Sequence, residues 1–201
     1  MLETAFKPLD NLRAAARLRA LSRDGQAHLA AEIGVMAAAG IAAALAIGLV
    51  RGQIRIPGHA ILRAVLPLAI GLSLVPRRSA GSVMSICAGV TVGLLHLGGF
   101  GRFQPAAVVG LIAIGPFLDL AMVGAGQGWR LYVRFILAGI AANLLSYESR
   151  LAAAYFGFNE PGSRQFASFW LPAILSFALC GAIAGLIGAA ACFRLRTQSE
   201  P

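Results

Sequence analysis

Ionisable and amide side chains inside apolar runs are rare, and in this chain they gather at a few depths. His59 and Arg63 stand four residues apart, one helical turn, and so share a helix face. His96 closes the next apolar run, Gln104 precedes the one after, and Asn143 and Glu148 end a fifth. Asn159, Glu160 and Arg164 follow among Tyr155, Phe156, Phe158 and Trp170. Charged groups at membrane depth face a bundle interior or a water-filled cavity, and a cavity with a few convergent polar groups is how small-molecule sites are built. His59, Arg63, His96, Asn143 and Glu160 are therefore the candidate ligand contacts. Arg63, one turn below His59, is expected to face that cavity with His59 and His96 and to meet an anionic or acceptor group. Taken singly, each residue reads more readily as a headgroup anchor; the cluster together is what suggests a ligand.

Other chemistries find no support. HExxH, GxSxG, Walker A and Rossmann glycine patterns are all missing, so no catalytic residue is expected. Ser82 and Ser85 lie toward one end of the apolar runs and His59 and His96 toward the other, too far apart along a helix for a nucleophile–base pair. Cys87 lies nine residues, roughly 13 Å, from His96, so His59, His96 and Cys87 cannot share a metal ion. Cys180 and Cys192 also sit in apolar surroundings and read as small hydrophobes. No metal and no cofactor is expected.

The elements that position these residues are membrane helices. Of 201 residues, 58% are hydrophobic and only 12% charged, with a mean hydropathy of +0.77, against about 25% charged in soluble domains. Six apolar runs are predicted as helices: 29–50, 59–75, 82–98, 105–124, 131–147 and 169–193. The fold class is all-α, a polytopic membrane bundle of about six transmembrane helices spanning residues 29–193. Before it lies a basic segment, 1–28, with Lys7, Arg13, Arg17, Arg19 and Arg23, either an interfacial helix or a loose tail. The residues 194–201 form a second tail. No cleavable signal peptide is evident, since polar residues precede the first run.

The formal charge of +9 is spread singly and in pairs between the runs, which sets orientation and builds no phosphate-tracking stripe, so nucleic acid is not an expected partner. With six spans, ten lysines and arginines (7, 13, 17, 19, 23, 77, 78, 130, 194, 196) fall on one side and five (51, 55, 102, 150, 164) on the other. That places both termini in the cytoplasm. Asp119 reads as the only acidic residue well inside a span. Arg134 follows at similar depth on the next, and an Asp119–Arg134 ion pair is expected near the inner face, structural and not a proton relay.

Small residues recur every four positions: Ala38, Ala42 and Ala46; Gly89 and Gly93; Gly181 and Gly185. Such ridges let helix backbones approach closely in lipid, either within the bundle or against another subunit.

The run IRIPGHAILRAVLPLAIGLSLVPRRSAGSVMSICAGVTVGLL resembles the helix-one to helix-three region of energy-coupling factor (ECF) transporter S components. GPFLDLAM, with Asp119, is similar to that family's fourth helix. The Ala38, Ala42, Ala46 ridge is similar to the alanine motif with which S components dock. The N-terminal Met-His of the cobalt and nickel binders has no counterpart, the chain opening Met1, Leu2. The resemblance implies a substrate-capture subunit in a bacterial inner membrane. It would bind a small water-soluble molecule, such as a vitamin or its precursor, at the outer face. A transmembrane coupling subunit and separate ATPase subunits would be its partners. The alternative is a small structural or assembly subunit of a larger membrane complex, with no ligand.

Overall fold

A computed structural model describes residues 25–49, 57–75, 77–100, 105–123, 129–156 and 169–193. Six helices account for nearly all of them: α1 (Gly25–Leu49), α2 (Ala60–Leu74), α3 (Ala80–Leu97), α4 (Pro105–Met122), α5 (Trp129–Tyr155) and α6 (Trp170–Cys192). There is no strand among the described residues. The expected all-α bundle of six helices is what forms. The basic segment before Gly25, Glu160 and the tail after Phe193 lie outside the described residues.

The helices are apolar around most of their circumference, as they must be to sit in lipid. Leu29–Gly48, Ala80–Leu97 and Trp170–Cys192 are each long and apolar enough to cross a membrane, while α2 and most of α4 are apolar but shorter. Large side chains remain on the outside, among them Ile86, Val90, Leu120, Leu137, Leu175 and Leu179, each more than half exposed. A surface of that kind, repeated around the bundle, belongs against acyl chains; the chain is a membrane protein.

Neighbour relations close into a ring. α1 packs on α2 and α3, α3 on α4, α4 on α5, α5 on α6, and α6 returns to α2. α2 leans inward, with Ile61, Ala64, Val65, Leu68, Ala69, Gly71 and Leu72 all buried, and touches α3, α4 and α5 as well. Successive helices run antiparallel, so the bundle has a near end, where α1 starts, and a far end, where it finishes.

The closest contact joins α5 and α6. A Cβ on Gly139 would run into the Gly181 carbonyl, and one on Gly181 would lie 2.7 Å from the Gly139 carbonyl carbon. Gly185 meets the Phe135 backbone in the same way. The Gly181, Gly185 ridge is thus used inside the bundle, where dispersion between touching backbones replaces a hydrophobic drive that lipid cannot supply. Gly89 also faces inward, toward Ile112 of α4, whereas Gly93 has no neighbour within 4 Å. The α1 ridge behaves differently: Ala38 and Ala42 are exposed and Ala46 is half-buried, while the opposite face buries Met36, Gly40, Ala43 and Ala44.

Two boundaries differ from the sequence expectation for one reason. α1 begins four residues before Leu29, and α5 runs eight residues past Tyr147 to Tyr155. Hydrophobicity marks how much of a helix lipid will accept, not where the hydrogen-bond ladder stops. At 27 residues, α5 spans about 40 Å, longer than a hydrocarbon core of about 30 Å.

Candidate functional site

At the far end, α5 presents Asn143, Ser146 and Arg150 at positions i, i+3 and i+7, one face of a helix. Asn143 and Ser146 are buried. Together with Gly58, Ala60, Ile61 and Ala64 at the start of α2, Gly110, Leu111 and Ile114 of α4, Ile47 of α1 and Phe177 of α6, they line a cavity. About 20 Å³ of it is open to the centres of water molecules, room for one or two. Arg150 stands over the Phe177 ring, its guanidinium carbon 5.5 Å from the centroid, a cation–π geometry.

The Pro57–Gly58 entry to α2 is built into this site. Asn143 donates both to the Gly58 carbonyl at 3.1 Å and to the Phe177 carbonyl at 2.6 Å. Ser176 donates to the Pro57 carbonyl at 2.8 Å. Gly58 has φ +83°, and a Cβ there would lie 3.0 Å from both the Asn143 amide and Phe177. Only glycine meets the backbone angle and the close approach together. One amide side chain thus ties α5, α6 and the start of α2 together in a place where unmet carbonyls would be costly.

Of the four expected ligand contacts among the described residues, the structure brings one, Asn143, to the cavity. His59 and Arg63 are half-buried on the face of α2 that carries the exposed Leu66 and Ile70, opposite Ile61, Ala64 and Leu68. His96 is exposed at the end of α3, a helix that contributes nothing to the cavity lining. Arg63 does not line the cavity with the two histidines, because α2 packs its Ile61–Leu72 side against the neighbouring helices and leaves His59 and Arg63 on the other, equally apolar side. Ser146 and Arg150 also line the cavity, and the sequence signal for them is their spacing from Asn143 on one helix face.

The near end holds the second polar group, and there the expected Asp119–Arg134 pair does not form. Asp119, buried on α4, accepts from the backbone N–H of Gly81 at 2.7 Å, the backbone N–H of Ser82 at 2.8 Å and the Ser82 hydroxyl at 2.6 Å. Ser79, in the N-cap position of α3, makes no capping bond of its own. A carboxylate from the neighbouring helix does that work, at the end where the dipole of α3 favours a negative charge. Arg134 donates to the Val123 carbonyl at 2.5 Å, at the C-terminal end of α4, where a cation is favoured. Each charge is matched to a helix end instead of to the other.

A second acid lies inside the bundle. Glu32 of α1 is 3% exposed and forms an ion pair with Arg77 of the α2–α3 turn. Asp119 is therefore not the only acidic residue within a span; Glu32 falls in the first turns of a run whose apolar average hides it.

Among the described residues no group of three metal-ligating side chains comes together. The chain matches no family model, no curated protein and no solved structure.

Proposed function

We propose that this membrane protein is the substrate-capture subunit of an ECF-type importer, taking a small water-soluble molecule such as a vitamin or its precursor at the far end of the bundle. The near end and both termini would then lie in the cytoplasm of a bacterial cell, with coupling and ATPase subunits as separate partners. The observation that carries this reading is the α1 ridge. Ala38 and Ala42 stay exposed on α1, while the ridge of α6 is consumed by α5. A small-residue face left open in lipid is shaped for another helix to approach closely. The cavity lined by Asn143, Ser146 and Arg150, at the opposite end from α1's start, is the companion feature and the proposed place of capture.

Mass spectrometry of small molecules co-purifying with the detergent-solubilised protein tests this. One compound at near-stoichiometric amount supports capture, and its absence from protein purified out of ligand-replete cells counts against it.

One observation favours a second reading, a structural or assembly subunit without a ligand: the cavity admits only one or two waters, and Asn143 donates to two backbone carbonyls. Such a subunit would use the same α1 face. It would co-purify with partner protein and no small molecule.

A further inference from the structure

Exposed side chains on α5 and α6 are sorted by depth. Along the middle of both helices the large ones are aliphatic, Leu137, Leu145, Leu175 and Leu179 among them. The exposed aromatic side chains among the described residues stand instead at helix ends: Trp129 at the near end, and Phe100, Tyr155, Phe156, Phe169 and Trp170 at the far end. From this sorting we infer that the bundle is fixed in depth by two headgroup contacts. Trp129 marks the near boundary of the hydrocarbon, Trp170 the far one, and the tip of α5 with Tyr155 and Phe156 rests in the far headgroup layer.

The register of α5 against α6 supplies the distance. Gly139 lies against Gly181 and Asn143 against Phe177. Trp170, eleven residues before Gly181, therefore comes level with Arg150, eleven after Gly139. From 129 to 150 is 21 residues, roughly 31 Å along the axis, close to a hydrocarbon core of about 30 Å. α5 continues past that level by five residues to Tyr155, roughly 8 Å, the depth of a headgroup layer. Charge follows the same planes: Arg130 is exposed beside Trp129, and Glu148 is exposed close to the Trp170 level. Trp and Tyr carry one polar N–H or O–H on an apolar ring, so they favour the headgroup boundary over both acyl chains and water. A protein partner would impose no such sorting by depth. Asn143, seven residues below the Trp170 level, then lies roughly 10 Å inside the far boundary, so the far-end cavity sits within the far leaflet whether or not it takes a ligand.

The test uses the full chain reconstituted in phosphatidylcholine vesicles and follows tryptophan fluorescence against three quenchers. These are bromines near the glycerol end of the acyl chains, bromines near their methyl ends, and nitroxides on the headgroup. Trp129→Phe and Trp170→Phe each leave one of the two native tryptophans, through a conservative change that guards against a folding failure. Each remaining tryptophan should be quenched about twofold or more strongly by the shallow bromines than by the deep ones. With both tryptophans replaced by Phe, Leu179→Trp, nine residues from Trp170 and near mid-depth, should show the reverse order. In the same background Tyr155→Trp should respond most to the headgroup nitroxide. Stronger quenching of either native tryptophan by the deep bromines would overturn the two planes, and these single-tryptophan proteins decide that by themselves. A Tyr155→Trp variant that escapes all three quenchers would overturn the placing of the α5 tip, and soluble iodide then separates free water from a covering protein.

Discussion

Asp119 illustrates how a charge inside a membrane bundle is accommodated by geometry that its own helix does not display. Three donors at the start of α3 surround its carboxylate, two of them backbone N–H groups that the first turn of any helix leaves unmet. Asp119→Ala should therefore cost about 2 kcal/mol, the scale of buried donors left unsatisfied, with the loss read as a lowered unfolding temperature in detergent. Asp119→Asn should cost less, because an amide oxygen can still accept from one of them. Both variants should leave ligand affinity unchanged, since the far-end cavity lies at the other end of the bundle; a selective loss of binding would make Asp119 functional. Arg134→Gln should cost about 0.5–1 kcal/mol, the worth of a cation at a helix C-terminus. Were the two residues partners, a double substitution would cost much less than the sum of the singles. With separate helix ends as partners, the costs should add.

Among the elements, α1 and α6 carry similar small-residue ridges with opposite fates, and this separates two substitutions sharply. Gly181→Ala places a methyl against the Gly139 backbone, which cannot move aside as a flexible side chain could. It should cost about 3 kcal/mol or prevent folding, seen as loss of a monodisperse peak in size-exclusion chromatography. Ala42→Leu adds volume on an exposed face, so the fold should keep its stability within about 0.5 kcal/mol. If that face docks a coupling subunit, the same substitution should abolish transport and partner co-purification while ligand binding persists. Equal loss of folding and binding in Ala42→Leu would place the ridge back inside the bundle. α2 makes the same point through its polar residues: His59 and Arg63 share a face with Leu66 and Ile70, so their replacement should leave the cavity intact.

For the molecule as a whole, the ring of six antiparallel helices sets both ends of α1–α6 apart. Counted along the sequence with six spans, ten lysines and arginines on one side against five on the other predict a cytoplasmic near end. A reporter fused after Pro201 should be active in the cytoplasm, and activity only outside the cell would reverse the orientation. Six helices, their order and their approximate positions could be read from hydropathy alone, because lipid demands long apolar runs and short connections force antiparallel neighbours. Depth could be read as well, since each residue advances a helix by a constant rise. For that reason, counting residues places Asn143 on the fifth helix at the depth where the cavity lies. What one chain's pattern does not carry is rotation. A helix that is apolar all round has no preferred inward face until its neighbours pack, so whether Arg63 or Ile61 meets the cavity depends on the ring closing around α2. The same holds for Asp119: its depth followed from counting residues, while its partners were backbone groups of α3 that became reachable only when α3 and α4 packed side by side. Small-residue ridges look alike in sequence, and only packing decided that Gly181 spends its ridge on α5 and that Ala38 and Ala42 keep theirs exposed, because close backbone approach is a property of two helices and not of one.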